Sequence, residues 1–148
     1  MGPERGTDWR DAVADALLGG ASDAIVATDA AGRIMFWNAG AERIFDFASN
    51  EALGRSLDII IPERMRARHW EGYRHMMATG ESRYAAGDLL AVPGLRKDGS
   101  QISLEFTISV VEAGGARIGL VATLRDVSKR FEELRDLRRR AAAVAPSA

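Results

Sequence analysis

The chain has 148 residues and a mass of 16.0 kDa, enough for one domain that buries roughly 70% of its unfolded surface. Hydrophobic residues make up 47% and charged residues 28%, with 20 Lys and Arg against 21 Asp and Glu for a net charge of −1. That is the balance of a soluble globular domain without the basic excess that coats nucleic acid. Cysteine is absent, which excludes disulfides, thiolate metal sites, cysteine nucleophiles and photochemistry through a cysteinyl adduct. No apolar run approaches the about 18 residues of a membrane span. Residues 1–5 lead into no apolar signal core, so a cytoplasmic protein is the expectation.

Residues 7–18 open the chain as a short amphipathic helix. Thr7 and Asp8 are N-cap residue types, Trp9, Val13, Ala16 and Leu17 share one face, and Gly19-Gly20 ends it. Two apolar runs, Ala24–Ala27 and Ile34–Trp37, flank the turn residues Asp29-Ala30-Ala31-Gly32 and predict a hairpin. Asn38 caps a short helix with Ala41, Ile44 and Phe45 on its apolar side. A second small helix starts near Ser49 and stops at Gly54.

Pro62 suits a first helical position, and the helix it opens is predicted to run to about Ala78 and end at Gly80. At 100° per residue, Met65, His69, Tyr73 and Met76 fall on one face, widened by Trp70 and Met77. Arg64, Arg66, Arg68, Glu71 and Arg74 lie mostly around the rest, and His75 sits at the edge of the apolar stripe.

Three strands follow. Leu89–Val92 is the first, with Pro93 predicting a break, an edge position or a bulge. Lys97-Asp98-Gly99-Ser100 is a hairpin turn. Ile102, Leu104, Phe106, Ile108 and Val110 then alternate with polar residues, which is the period of a strand with one buried face. Ile118 to Leu124 is the last strand. Asp126 or Ser128 caps a terminal helix whose apolar seam, Val127, Phe131 and Leu134, fades quickly. The final residues, through Ala148, are expected to be disordered.

Catalytic motifs are missing. There is no phosphate-binding glycine loop and no H-E-x-x-H. His69 and His75, six apart, point about 120° away from each other on a helix, which disfavours a metal site built from both. No nucleophile elbow is visible. A non-enzymatic protein is expected.

The segments Asp23–Asp29, Gly32-Arg33-Ile34 and Phe36–Phe45, then Gly54 with Ile61-Pro62-Glu63-Arg64, then Leu95–Ser100 and Arg125–Ser128, resemble the ordered landmarks of a PAS domain. The resemblance covers residues 21 to 128. It implies an α+β fold: a five-stranded antiparallel sheet with short helices and one long helix packed on one face. Residues 1–20 then form an N-terminal flanking helix, 21–127 the sensory domain, and 128–148 a signalling helix and tail. It further implies a pocket between sheet and long helix, dimerisation through the terminal helices, and relay to a kinase or DNA-binding protein, here in trans or beyond these 148 residues. No direct nucleic-acid or membrane contact is expected.

The family's pockets hold haem, flavin, small organic acids, or nothing. The adduct-forming flavin branch needs a cysteine that this chain lacks. In the oxygen-sensing haem kinases of the family the ligand histidine lies fifteen residues before the hairpin glycine; that position is Tyr84 here, and the arginine six further on is Leu90. Other haem members take their histidine from the long helix. His69, central on the apolar face, is the better candidate metal ligand, with His75 behind it. Buried, hydrogen-bonded core is the competing reading of His69. Met76 is either a soft ligand contact or adaptable packing. Tyr84 is either a ligand contact or a pocket-edge hydroxyl. Trp37 either stacks on a ligand or is a half-buried strand residue. Leu104 and Phe106 link the pocket to the sheet, and Asp126 and Ser128 hold the joint to the signalling helix. A domain that binds no ligand and serves only to dimerise would use the same outer surfaces.

Overall fold

The computed structural model describes residues 6–82 and 90–144, Leu90 by its backbone alone. Tyr84 and the last four residues lie outside the described residues. Helix α1 (Trp9–Leu18) is capped by Asp8, whose carboxylate accepts from the Arg10 and Asp11 amides. Strands β1 (Ala24–Asp29) and β2 (Ile34–Trp37) form the hairpin expected from their apolar runs. In the turn, Asp29 Oδ1 accepts from Ala31 and Arg33 amides, and Gly32 takes a positive φ of 81°. Short helices α2 (Ala39–Phe45) and α3 (Ser49–Ala52) and a 3₁₀ turn η1 (Leu57–Ile60) follow.

The long helix begins later than Pro62 predicts. Pro62 precedes a 3₁₀ turn, η2 (Glu63–Met65), and the α-helical segment α4 runs Arg66–Thr79. Its last turn ends at Gly80 in the left-handed conformation, as the C-cap glycine implies. Strands β3 (Leu90–Leu95), β4 (Gln101–Ala113) and β5 (Ala116–Asp126) lead into α5 (Ser128–Val144).

The five strands form one antiparallel sheet in the order β2-β1-β5-β4-β3. Pro93 does not break its strand, because β3 is an edge and Pro93 pairs in register with Ser103. Ser103 spends both its N–H and its C=O on the opposite side, toward Ser128 and Val127. Pro93 therefore occupies a non-hydrogen-bonded position, and its nitrogen faces the open edge where no donor is needed.

The alternation along β4 holds. Ile102 and Leu104 are buried and Phe106, Ile108 and Val110 partly so, while Thr107 and Ser109 on the other face are exposed. The inner face carries two apolar clusters. One joins Ala24, Val26, Ile34, Trp37, Phe45 and Leu104 beneath the short helices, with Met65, Phe106 and Ala122 at its margin. The other joins Tyr73, Met76 and Leu120, with Trp70, Met77, Ile108 and Val110 around them.

Candidate functional site between the long helix and the sheet

The boundary between the two clusters crosses three elements and is staggered between the strands, since Ile108 of one cluster pairs in register with Ala122 of the other. On α4 and its approach it lies between Met65 and Trp70, on β4 between Phe106 and Ile108, and on β5 between Ala122 and Leu120. His69 stands at this level of α4. Its Nδ1 is buried and meets no hydrogen-bond partner among the described residues. A buried polar atom without a partner is costly, and native proteins rarely keep one without a use. Its ring lies 4.7 Å from Trp70 and 6.0 Å from Tyr73, centroid to centroid. Burial pushes the His69 pKa below its ordinary 6.5, with the Asp58 carboxylate opposing the shift. The imidazole is therefore neutral at pH 7, the form that ligates metals and accepts hydrogen bonds.

The neighbours of His69 are held firmly. Trp70 Nε1 donates to Asp58 Oδ1 at 2.7 Å. Its indole lies on the turn at Gly32, where a Cβ would collide with the ring. The Tyr73 hydroxyl donates to the Asp29 carbonyl and accepts from Thr28 Oγ1 at 2.8 Å. Burial raises the Tyr73 pKa, so the hydroxyl stays protonated. Met76, one turn on, is buried against the sheet.

Other candidates fall elsewhere. His75 is exposed on α4. Trp37 is buried in the first cluster, 5.4 Å from Phe45 by ring centroids, with its Nε1 donating to the Phe47 carbonyl. It belongs to the core beneath α2. Leu104 is also buried in that cluster. Phe106 reaches the boundary. It is flanked by β3 and β5 yet only partly buried, so the described residues do not close over it. Among the described residues no group of three His, Asp or Glu side chains is placed to hold a metal ion.

At the other end of the sheet, Asp126 Oδ1 accepts from both the amide and the hydroxyl of Ser128, at 2.9 and 2.6 Å. The Ser128 hydroxyl oxygen accepts from Ser103 N, and Val127 N donates to Ser103 O. The start of α5 is thus fastened to β4, one residue from Leu104. Sequence reasoning named Asp126 and Ser128 but had no means to see Ser103 as their common partner.

A curled antiparallel sheet with small helices and one longer helix on its inner face, and a hydrogen-bonded joint to a terminal helix, defines a sensory α+β module. The model of the PAS fold matches residues 14–127, and the chain belongs to that family. An uncharacterized protein of Azorhizobium caulinodans is 36% identical over 130 residues, which is 87% of this chain and 17% of that one. The oxygen sensor protein DosP of Escherichia coli is 34% identical over 95 residues, 64% of this chain and 12% of that one. The chain thus spans less than a fifth of either relative. Among solved structures, the PAS domain of a Colwellia psychrerythraea protein superposes with a TM-score of 0.70 at 21% identity, over 82% of this chain and 99% of that one. Among the described residues no helix is long and apolar enough to cross a membrane.

Proposed function

We propose that this PAS domain binds a small molecule or cofactor between α4 and the inner face of β4 and β5, and reports its presence through α5. The observation that carries the reading is the buried, unpartnered Nδ1 of His69 at the level where the two apolar clusters part. A ligand group that meets this nitrogen removes a desolvation cost the empty domain bears. It also favours whichever arrangement of α4 on the sheet fits it best, and so shifts the population. Phe106 and Ile108 supply apolar contact beside it. Asp126, Ser128 and Ser103 carry the shift to α5. α1 and α5 act as flanking helices on a sensory unit of 21–127.

The same observation favours haem as the ligand. A neutral, buried imidazole among apolar side chains is what an axial ligand requires, and a relative is named an oxygen sensor. His69 would hold the iron, with Met76 on the same face. Haem would supply the gas- or redox-sensitive centre. Flavin finds no comparable support.

Assembly as a homodimer is part of the proposal. Trp9, Val13 and Leu17 of α1 and Phe131, Leu134 and Leu137 of α5 are all exposed large apolar side chains. Full burial of a side chain of this kind gains about 1.5–3 kcal/mol, and since these are already partly covered each gains roughly half of that in a partner. Output then passes to a kinase or DNA-binding partner in the cytoplasm.

The test is a spectrum and a mass. Protein reconstituted with haem is expected to show a sharp Soret band that His69→Ala abolishes and His75→Ala preserves. If neither variant alters the spectrum, haem is excluded as a histidine-ligated group. Native mass spectrometry of the purified chain is expected to show a retained compound that His69→Ala releases. A chain carrying no compound and taking up no haem overturns the sensory reading.

A further inference from the structure

A concavity opens beside η1. It is a surface cleft of about 470 Å³ between η1 and the β3–β4 hairpin. Its walls bring together segments far apart in the chain: Phe47, Arg55 and Asp58 from one region, Arg66 from the start of α4, and Arg96 and Lys97 from the hairpin. Four cations thus face one carboxylate.

The state of each charge decides what the cleft can hold. Asp58 is already engaged, accepting from Trp70 Nε1 at 2.7 Å with Arg66 Nε at 4.0 Å. Arg66 turns inward and donates to the carbonyls of Ile61 and Asp58, which fixes its guanidinium while leaving N–H groups over. Lys97 pairs with Glu51 at 2.6 Å. Asp98, next to Arg96 in the hairpin, spends its carboxylate on the amide and hydroxyl of Ser100. Arg55 and Arg96 have no ion pair among the described residues. The Arg55 guanidinium sits 5.9 Å from the Phe47 ring centroid, its charge over the aromatic face rather than on an anion. The floor includes apolar carbon from Phe47, Ile59 and Leu95.

We propose that this cleft binds a small organic anion with at least two negative charges beside an apolar or aromatic body. Two guanidiniums without a close ion pair, though each lies in the field of a nearby carboxylate (Glu51 for Arg55, Asp98 for Arg96), and a third held in place are an arrangement that recognises phosphate or carboxylate oxygens by paired, charge-assisted hydrogen bonds. Phe47 and its aliphatic neighbours take the body. The site is distinct from the one proposed at His69, though Asp58 lines it and accepts from Trp70.

Titration calorimetry of the full chain with AMP, citrate and adenosine tests this. AMP is expected to bind saturably at one site, and adenosine, which lacks the charge, not at all. Arg55→Ala/Arg96→Ala should weaken AMP by at least about tenfold, and Arg96→Glu more, consistent with the loss of charge-assisted contacts. Raising NaCl from about 50 to 500 mM should weaken it further. Amide shifts in a nitrogen-15 spectrum should concentrate at residues 55–59 and 95–99. His69→Ala should leave the affinity unchanged, which separates this site from the sensory one. No saturable binding of either AMP or citrate, or equal AMP affinity in the double variant, overturns the proposal.

Discussion

Ser128 grips Ser103 by its hydroxyl: the oxygen accepts from the Ser103 amide at 2.9 Å while its proton goes to Asp126 Oδ1. The first residue of α5 therefore completes the hydrogen bonding of β4 at Ser103. Ser128→Ala should leave a half-buried amide unpaired and cost about 1–2 kcal/mol in urea unfolding. Ser128→Thr, which keeps the hydroxyl, should recover most of it. Amide exchange at the start of α5 should quicken in the alanine variant while β1 is unaffected. Equal stability of the alanine variant and the native chain would show that the joint is passive.

Asn38 performs a different task with a side chain 5% exposed. Its Oδ1 accepts from the Ile25 and Ala41 amides, and its Nδ2 donates to the Gly20 and Asp23 carbonyls. All four of its capacities are met. It joins the α1 linker, β1 and α2 at one point, and Gly40 lets α2 approach the Asp23 carbonyl there, where a Cβ would clash with backbone. Asn38→Ala should cost about 2–4 kcal/mol. Asn38→Asp should cost as much or more at neutral pH, because a carboxylate cannot donate to two carbonyls. Thermal unfolding of the two variants measures this directly, and a mild Asp variant would mean that the two donated bonds contribute little.

The far end of α4 is tied by Arg117. Its Nε donates to the Met77 carbonyl at 2.8 Å and its Nη2 to the Ala78 carbonyl at 2.7 Å. These are carbonyls that the end of α4 leaves unsatisfied, and a cation there also opposes the helix dipole. Arg117→Ala should speed amide exchange in the last turn of α4 by several-fold and leave the short helices beneath the first cluster unchanged. Arg117→Lys, unable to bridge both carbonyls with a planar fork, should fall between the two. An unchanged exchange pattern would mean that α4 is held by Tyr73 and Met76 alone.

What was legible in the residues follows the physics of each signal. The period-2 run from Ile102 to Val110 and the turn at Asp98-Gly99 are local patterns, and β4 formed over them. The apolar face of α4 was equally plain, since Tyr73 and Met76 are buried and Met65, His69, Trp70 and Met77 partly so. Trp37 left two readings open because an aromatic at a strand end carries no mark of which cluster it joins; Phe45 and Phe47 are brought to it by the fold. Pro93 marked an edge position, which β3 occupies, but the strand runs through it unbroken because its nitrogen needs no partner there. Nothing in the residues around Arg66 says that the carbonyls of Asp58 and Ile61 face it. The anion cleft is made of pieces some forty residues apart, so it exists only after folding.

His69 also gives the fold a dependence on pH. Its pKa is lowered by burial, with Asp58 opposing, so the unfolded chain binds this proton more readily than the folded one. The contribution to stability is complete above the ordinary pKa of 6.5 and is lost as pH falls below it, until the folded-state pKa is passed and the curve flattens. Denaturation midpoints in urea, measured from pH 7.5 down to about 5, should therefore fall through this window in the native chain. His69→Gln, neutral at every pH, should remove that part of the slope, while His75→Gln at the exposed position should leave it in place. A ligand that meets Nδ1 in its neutral form should steepen the loss, because protonation then also breaks the contact with the ligand. A native chain whose midpoint is level across the window would mean that the imidazole is hydrated or paired in solution, and the reading of His69 as a group held ready for a ligand would fall with it.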